Sequence, residues 1–278
     1  MTALPALFIS HGAPTWAIEP GIIAPRLAAL ADGLPKPRAI LVVSPHWTSR
    51  ELRVMTNSAP KTVHDFGGFP RALYQLQYPA PGAPALAQSV MALLAGQGYA
   101  VKADAEAGFD HGAWIPLLHM YPAADVPVIQ LSMRAGDGPE DCFRIGRALA
   151  TLREQGILII GSGSLTHNLY EFRQGQDEPE TYVKAFAFWV RESLERGDVD
   201  ALLDYRRRAP HAERAHPTVE HLLPLFFALG AAGSDGVGAR CIEGGITHCV
   251  LAMDAFVLGE NSAGTITSDE GSSQHAVA

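Results

Sequence analysis

The fold is decided by residues 39–47, which have the sequence AILVVSPHW. The first five of these residues are apolar, and three of them are β-branched. Short runs that are apolar on nearly every residue are typical of strands buried on both faces of a parallel sheet. Because Pro45 bounds the run, we predict a buried strand over residues 39–44. His46 then lies just beyond the carboxyl end of that strand.

Similar apolar runs recur along the chain and alternate with segments of helical period. The predicted strands cover residues 4–10, 39–44, 126–131, 157–160 and 251–258. The predicted helices cover residues 21–31, 84–97, 141–155, 180–196 and 217–229. This alternation predicts an α/β fold, with a single domain whose mostly parallel central sheet is covered by helices on both faces.

The length of the chain agrees with a single large domain. A chain of 278 residues can bury a substantial core, and neither an internal repeat nor a shift in composition marks a domain boundary. We therefore expect one folded domain over residues 1–258. Residues 259–278 are rich in Ser, Gly and Thr and are expected to form a disordered tail.

The composition excludes several classes of protein. The chain has 21 Lys and Arg residues and 29 Asp and Glu residues, a formal net charge of −8. This charge argues against nucleic-acid binding, because neutralising phosphates needs a positive face. No run of about 18 apolar residues predicts a membrane span, and the first residues lack the positive region of a signal peptide. The three cysteines form neither a disulfide framework nor a CxxC zinc motif. We therefore predict a cytoplasmic protein with neither a membrane nor a nucleic-acid partner.

Histidine is the unusual residue of this chain, with 11 copies. His11, His46 and His167 each follow a predicted strand. Ligands of open α/β sheets bind in the crevice outside the carboxyl ends of the strands, so these three side chains can converge there. His111 and His221 lie near predicted helix starts. The pattern predicts a metal centre at this edge of the sheet.

The residue types alone leave the metal and the reaction open. Imidazole suits Zn, Cu, Fe and Ni, so the ligand type does not select one of them. Three protein ligands leave positions for water or substrate, which indicates a catalytic rather than a structural metal site.

Six motifs add a resemblance to a known family. They are FISHGAP (8–14), VSPHW (43–47), VHDFGGFP (63–70), FDHGAW (109–114), GSGSLTHNL (161–169) and PTVEH (217–221). Together they resemble the class III extradiol ring-cleaving dioxygenases, and HDFGGFP resembles the DOPA-dioxygenase branch of that superfamily. The motifs follow the family's order from residue 8 to about residue 230. The resemblance implies that residues 1–258 are a catalytic extradiol dioxygenase domain.

The resemblance also implies a set of metal ligands. His11, His46 and His221 match the metal-binding histidines of the branch, and His167 matches a histidine that is also described as a ligand. The expected metal for activity is Fe(II), while Zn(II) is expected to occupy the site in purified protein. Glu220 is a neighbouring carboxylate. Because it precedes His221 by one residue on the predicted helix, we expect it to point about 100° away from His221 and not to be a ligand.

Further histidines receive roles in the chemistry from the same resemblance. His167 matches the residue that acts as acid and base, and an imidazole with a pKa of about 6.5 suits proton transfer at neutral pH. His111 matches a second active-site histidine that binds substrate or oxygen. His64 is a candidate for the substrate pocket. Val219 departs from the branch, which often has proline at this position.

The implied function is a non-haem, metal-dependent extradiol dioxygenase. Such an enzyme inserts both atoms of O₂ into a substituted catechol and opens its ring, so its partners are a small aromatic diol and O₂. Two alternatives stay open, a zinc-dependent hydrolase on the same histidines and a non-enzymatic scaffold that kept the fold. The identity of the catechol, the bond that is cleaved and the oligomeric state (monomer or homodimer) also stay open.

Overall fold

The central sheet is built from short strands spread over the whole chain. A computed structural model describes residues 3–176, 178–233 and 239–259. The strands in this part of the chain are β1 (Ala6–Ser10), β2 (Ala39–Ser49), β3 (Leu52–Met55), β4 (Val101–Asp104), β5 (Val128–Arg134), β6 (Ile157–Gly163), β7 (Arg240–Ile242), β8 (Ile246–Thr247), β9 (Leu251–Ala252) and β10 (Ala255–Leu258). Eight of them form one sheet in the order β4-β3-β5-β2-β6-β1-β10-β7, and β8 pairs with β9 separately. Apart from Gly259, the predicted tail lies outside the described residues.

The four strands at the centre of the sheet are parallel. β2 pairs in parallel with β5 and β6, and β6 pairs in parallel with β1. Antiparallel strands flank this centre, since β10 pairs with β1 and β3 pairs with β5. Every residue of β1 and β6 is buried, as expected for strands covered on both faces. The predicted single-domain α/β fold with a mostly parallel sheet is confirmed.

Helices pack around this sheet. The α-helices of the described residues are α1 (Ile23–Gly33), α2 (Pro84–Gly96), α3 (His111–Met120), α4 (Pro139–Ala148), α5 (Thr181–Glu195), α6 (Val199–Leu203), α7 (Tyr205–Arg208), α8 (Ala212–Ala215) and α9 (Leu223–Ala231). Short 3₁₀ helices cover Pro14–Ala17, Arg71–Gln75, Ala150–Gln155 and Leu169–Glu171. The predicted helices over 21–31, 84–97 and 180–196 are confirmed within about two residues at each end.

Helices α3 and α9 lie on opposite faces of β6. Side chains alternate between the two faces of a strand. A Cβ added at Gly161 would lie 2.0 Å from the carbonyl oxygen of Pro224, and one at Gly163 would lie 2.3 Å from the backbone just before α9. Ser162, between them, faces the other way and donates its hydroxyl hydrogen to the carbonyl of Gly112 in α3. The expected cover of helices on both faces is therefore confirmed.

The predicted helix over residues 217–229 is wrong at its beginning. Residues 217–222 form bends and turns, and α9 begins at Leu223. Pro224 takes a position in the first turn of α9, where the N–H that proline lacks has no intrahelical partner to lose. His221 therefore precedes the helix instead of lying on it.

Other elements also differ from their predicted bounds. The helix predicted over 141–155 is divided into α4 and a 3₁₀ helix, and the strand predicted over 157–160 continues for three more residues. The strand predicted over 251–258 is divided into β9 and β10. Asp254 lies between these two strands, and its carboxylate accepts the backbone N–H of Gly244 at 2.8 Å.

Large aromatic side chains fix the helices against the sheet. Trp114 of α3, Phe186 of α5 and Phe226 of α9 are almost completely buried. Burial of rings of this size contributes strongly to core stability, so α3 and α9 hold fixed positions against β2 and β6. No helix in the described part of the chain is long and apolar enough to cross a membrane.

Candidate active site

Five histidines meet at the carboxyl-terminal edge of the parallel strands. They are His11, His46, His111, His167 and His221. The ring centroids of His46 and His111 lie 3.9 Å apart, and the rings of His167 and His221 stack at 3.5 Å with an angle of 8° between their planes. The ring of His11 lies 5.0 Å from that of His46 and 5.7 Å from that of His221. The fold thus brings together every predicted site residue except His64.

The ends of β1 and β2 place two of these histidines. His11 follows β1 directly, and its backbone N–H donates to the last residue of β6 at 2.8 Å, which continues the parallel ladder. His46 lies within β2, because that strand extends beyond the predicted end at residue 44. The pairing of β2 with β5 shifts register between Val43 and Thr48. Pro45 falls in this irregular stretch, where a residue without an N–H is tolerated.

The start of helix α3 places a third histidine. Asp110 caps the helix by accepting the N–H of Ala113 at 3.1 Å, so α3 begins at His111 as the sequence suggested. Asp110 is itself held by Gln130 of β5, which donates to its carboxylate at 2.7 Å and accepts its backbone N–H at 3.1 Å. A Cβ at Gly112 would lie 2.4 Å from a side-chain oxygen of β2, so glycine lets the helix start close against that strand.

Two facing loops position the remaining two histidines, His167 and His221. The backbone N–H of Ser164 donates to the carbonyl of His221 at 2.8 Å, and the N–H of His167 donates to the carbonyl of Ala215 at 2.9 Å. These bonds tie the segment after β6 to the segment before α9. His167 and His221 are therefore stacked by backbone contacts even though neither lies in a helix or strand.

Hydrogen-bond partners assign the proton of three rings to Nδ1. These partners are Ser162 for His11 (3.0 Å), Asp65 for His111 (3.0 Å) and Glu220 for His221 (3.2 Å). Ser162 gives its own hydroxyl hydrogen to α3, so its oxygen accepts from the ring of His11. With Nδ1 protonated, Nε2 of each neutral ring carries a lone pair.

These lone pairs fit a metal ion. The Nε2 atoms of His11 and His46 lie 3.1 Å apart, and donor atoms of His11, His46 and His221 all lie within 4.8 Å of one another. The tautomer of His46 decides whether these two nitrogens share a hydrogen bond or both present lone pairs to a cation. The separation suits two nitrogens on one ion at bond lengths of about 2.1 Å. The three histidines thus form a donor set for one divalent metal.

Burial keeps His11, His46, His167 and His221 neutral by lowering the pKa of each imidazole. Burial and the neighbouring histidines lower the pKa of His46 to about 2 and that of His167 to about 3. The same causes lower the pKa of His11. Burial also lowers the pKa of His221, although Glu220 acts in the opposite direction. Neutral imidazole is the form that binds a metal or accepts a proton.

Asp65 is a site residue that the sequence pattern did not reveal. Its Oδ1 accepts the backbone N–H of His111 at 2.9 Å, and its Oδ2 accepts the Nδ1–H of the same residue at 3.0 Å. Burial acts to raise the pKa of Asp65, but its hydrogen bonds with His111 outweigh this effect and the pKa is lowered. A carboxylate in this position fixes the tautomer of a histidine and its ring orientation. The available signal was the place of Asp65 in the HDFGGFP motif, beside His64.

Glu220 is the second carboxylate of the site, and the expectation for it is wrong. Residues 217–222 are not helical, so Glu220 does not point away from His221 but contacts its Nδ1. Its carboxylate also accepts the hydroxyl hydrogen of Thr218 at 2.8 Å. The hydrogen bond from His221 is the main reason that the pKa of Glu220 is lowered to about 2.

An apolar cavity of about 390 Å³ opens beside the five histidines. Its other walls are formed by Gly12, Ala13, Pro14, Phe66, Gly67, Phe69, Leu169, Phe172 and Leu251. His64 does not line the cavity. Its Nε2–H donates to the carbonyl of Leu76 at 3.0 Å, and its ring packs edge-on against Phe66 at 5.8 Å. A role of His64 in substrate binding stays a prediction.

Comparison with known proteins identifies the family. Residues 6–250 match the family described as the catalytic LigB subunit of aromatic ring-opening dioxygenase. The chain belongs to this LigB family. The match covers most of the chain and includes all five clustered histidines.

Relatives in the LigB family are similar over most of their length. A 4,5-DOPA dioxygenase extradiol of Escherichia coli K12 is 43% identical over 235 residues, which cover 83% of this chain and 86% of the relative. A protein of the same name from Beta vulgaris is 41% identical over 232 residues, which cover 82% and 87%. The crystal structure of an uncharacterized protein of Escherichia coli K12 has a TM-score of 0.76 at 35% identity and covers 92% of this chain and 100% of that one.

These similarities confirm the predicted class of enzyme. The chain is an extradiol ring-cleavage dioxygenase of the DOPA-like branch of the LigB family. The alternative of a non-enzymatic scaffold is therefore wrong.

Proposed function

We propose that this LigB-family chain is a non-haem Fe(II)-dependent enzyme that opens the ring of a substituted catechol by inserting both atoms of O₂. The observation that carries the proposal is the convergence of three metal-binding histidines and two further histidines on one apolar cavity. Catechol and O₂ combine into one product, so the reaction needs no external electron donor. The names of the two relatives contain DOPA, itself a catechol, which supports this substrate class.

In this proposal His11, His46 and His221 hold the metal. Fe(II) bound by three protein ligands supplies open positions for the two catechol oxygens and for O₂. Ser162 and Glu220 hold the rings of His11 and His221 through Nδ1 and so keep both Nε2 atoms available. Zn(II) suits the same donors, and we expect it to compete for the site in purified protein.

His167 acts as the acid and base of the reaction. It lines the cavity that receives the substrate, and its low pKa of about 3, caused by burial, means that it enters the reaction neutral. A neutral imidazole accepts a proton from a catechol hydroxyl. The oxygen that loses this proton becomes negative, and its charge stabilises the imidazolium beside it. The protonated ring later returns the proton as the product forms.

His111 orients the catechol oxygen or O₂. Because Asp65 accepts the Nδ1–H of His111, Nε2 is the free ring nitrogen of a side chain that lines the cavity. His64 acts on substrate binding indirectly, since its ring packs against Phe66 in the cavity wall.

The proposed location is the cytoplasm. Cys142, Cys241 and Cys249 are free thiols, which suits a reducing compartment. A reducing compartment would also keep iron in the Fe(II) state that the proposed reaction uses.

Metal reconstitution tests the proposed function. We expect apoprotein loaded with Fe(II) under reducing conditions to consume O₂ with a catechol and to release a yellow ring-opened product. Apoprotein loaded with Zn(II) is the matched control and should be inactive. The absence of O₂ uptake with every catechol, despite verified Fe(II) loading, would contradict the proposal. Equal or better turnover with Zn(II), independent of O₂, would establish the zinc hydrolase instead.

A further inference from the structure

The 3₁₀ helix over Arg71–Gln75 lies against two parts of the cavity wall. The ring of Tyr74 packs against that of Phe66 at 5.2 Å, and its hydroxyl group donates to the carbonyl of Phe66 at 3.4 Å. The rings of Phe66 and Phe69 pack edge-on at 5.6 Å, and both side chains line the cavity. The helix also contacts the 3₁₀ helix that begins at Pro14, a further wall residue. It therefore forms part of the rim of the cavity.

Arg71 lies on the face of this short helix that is turned towards the wall. Side chains at positions i and i+3 of a 3₁₀ helix project from the same face. Arg71 and Tyr74 are related in this way, and Tyr74 packs against the wall residue Phe66. Phe69, another wall residue, precedes Arg71 by only two positions. Arg71 is exposed and does not itself line the cavity, so its guanidinium group lies at the rim.

The guanidinium group of Arg71 has no ion pair or hydrogen bond with any described residue. Two other arginines near the cavity wall are already paired. Arg173 forms an ion pair with Glu180 at 3.1 Å, and Arg214 donates two hydrogen bonds to Glu171, at 2.8 and 2.7 Å. Arg71 can therefore bind an anion from outside the chain without breaking an internal pair.

A carboxylate is the anion that suits this arrangement. The planar guanidinium group of arginine presents a fork of N–H donors that matches the two oxygens of a carboxylate. The carboxylates of Asp65 and Glu220 form hydrogen bonds with His111 and His221, and the proposed divalent metal offsets their negative charge. They therefore leave the rim open to an anionic group of the substrate.

We propose that Arg71 receives a carboxylate carried on the side chain of the catechol substrate. The proposal rests on the proposed function and makes Arg71 a specificity-determining residue for catechols with an anionic side chain. The oxygens of the ring stay at the histidines, the carbon chain of the substituent lies along Phe66 and Phe69, and its carboxylate ends at the guanidinium group.

Two pairs of substrates, each differing in one carboxylate, test the proposal with the Fe(II)-loaded, full-length enzyme. L-DOPA is compared with dopamine, and 3-(3,4-dihydroxyphenyl)propionate is compared with 4-ethylcatechol. O₂ uptake gives, for each pair, the ratio of kcat/KM with the carboxylate to kcat/KM without it. Both acids hold the carboxylate two carbons away from the ring, so the reactivity of the ring is nearly the same within a pair. We expect both ratios to exceed one.

Substitution of Arg71 should remove this preference. We expect Arg71→Gln to lower both ratios about five- to tenfold, mainly by raising KM for the acids. Arg71→Lys keeps the charge but loses the fork of donors, so it should lower the ratios less. Arg147→Gln is the matched control. Arg147 is exposed and lines a separate cavity with Ala3 and Glu154, which precede β1 and β6 and so lie at the opposite edge of the sheet. This variant should leave both ratios unchanged.

The ratios separate a specific role of Arg71 from a structural one. Differences in metal loading or in the folded fraction cancel within each pair, so a merely destabilised variant keeps the ratios of the unmodified enzyme. Ratios of one or below in the unmodified enzyme, a change of less than about twofold in Arg71→Gln, or an equal fall in Arg147→Gln each overturn the proposal and leave the proposed function intact. No O₂ uptake with any of the four substrates, despite verified Fe(II) loading, overturns both.

Discussion

The clustered histidines fall into two corners that are built in different ways. The Asp65 corner consists of His46, Asp65 and His111, and the Glu220 corner consists of His167, Glu220 and His221. In the Asp65 corner, one carboxylate contacts two rings and a backbone N–H from distant parts of the chain. In the Glu220 corner, the carboxylate contacts the ring of its neighbour in sequence.

The difference shows which carboxylate controls the geometry of the site. The side chain of Asp65 is 22% exposed and that of Glu220 is 39% exposed, so solvent screens the contacts of Asp65 less. Asp65 orients one proposed metal ligand and one proposed substrate contact together, whereas Glu220 forms hydrogen bonds with His221 and with the hydroxyl of Thr218. We therefore expect substitutions at Asp65 to lower metal affinity more than matched substitutions at Glu220.

The largest loss of activity is expected in the Glu220 corner, from substitution of the proposed acid and base His167. His167→Gln should lower kcat by a factor of about 10² to 10⁴, because the ring that carries the proton is lost while the three proposed ligands stay in place. The metal content, measured by elemental analysis, should be unchanged. Loss of metal together with activity would contradict the acid–base role and make His167 a ligand.

A matched control for this change lies outside the cavity. His211 is exposed and has a left-handed backbone conformation with a φ of 57°, which asparagine also tolerates. His211→Asn removes an imidazole without touching the cluster and should leave kcat and metal content unchanged.

Removing the carboxylate of the Asp65 corner should have the next largest effect. Asp65→Ala should lower metal affinity about 10- to 100-fold, because His46 and His111 lose the group that orients them. Competition with a chelator measures this affinity independently of turnover. Asp65→Asn keeps one accepting oxygen and should retain part of the affinity. A metal affinity of Asp65→Ala equal to that of the unmodified chain would show that Asp65 positions neither ring.

The equivalent change in the Glu220 corner should be milder. Glu220→Gln keeps an accepting oxygen beside the Nδ1–H of His221, so we expect metal affinity to fall less than about tenfold. The same chelator competition gives the value. A loss of metal affinity equal to or larger than that of Asp65→Asn would contradict the stronger role of Asp65 in the geometry of the site.

The smallest effect is expected behind the cavity wall. His64→Gln should raise KM for a catechol about threefold and leave kcat unchanged, because His64 supports Phe66 and does not line the cavity. Steady-state O₂ uptake separates the two constants. A fall in kcat with no change in KM would place His64 among the groups that act in the chemistry.

The positions of the strand-end histidines could be predicted from the sequence. His11 and His46 follow apolar runs that can be recognised from the local sequence alone. Parallel strands place their carboxyl ends at the same edge of the sheet. The same holds for the start of α3, because Asp110 is a strong capping residue directly before His111. The family resemblance was needed to choose among the histidines, since imidazoles at strand ends do not specify Fe(II) or a catechol.

The two carboxylates could not be predicted, because their contacts depend on how loops fold. Asp65 meets His111 across 46 positions of sequence, and no local pattern encodes that distance. The predicted helix over residues 217–229 misplaces Glu220, because Pro217 is a typical helix start and Gly230 a typical helix end. The close approach of the chain to Gly163 and the position of Pro224 in α9 instead leave residues 217–222 as a turn.

The most direct test of ring opening by O₂ is the origin of the oxygen in the product. Fe(II)-loaded enzyme is supplied with ¹⁸O₂ and a catechol in unlabelled water, and the ring-opened product is analysed at once by mass spectrometry. We predict that both atoms of ¹⁸O₂ appear in the product. A product that takes its new oxygen from water alone would contradict dioxygenase chemistry at these histidines and would indicate hydrolysis.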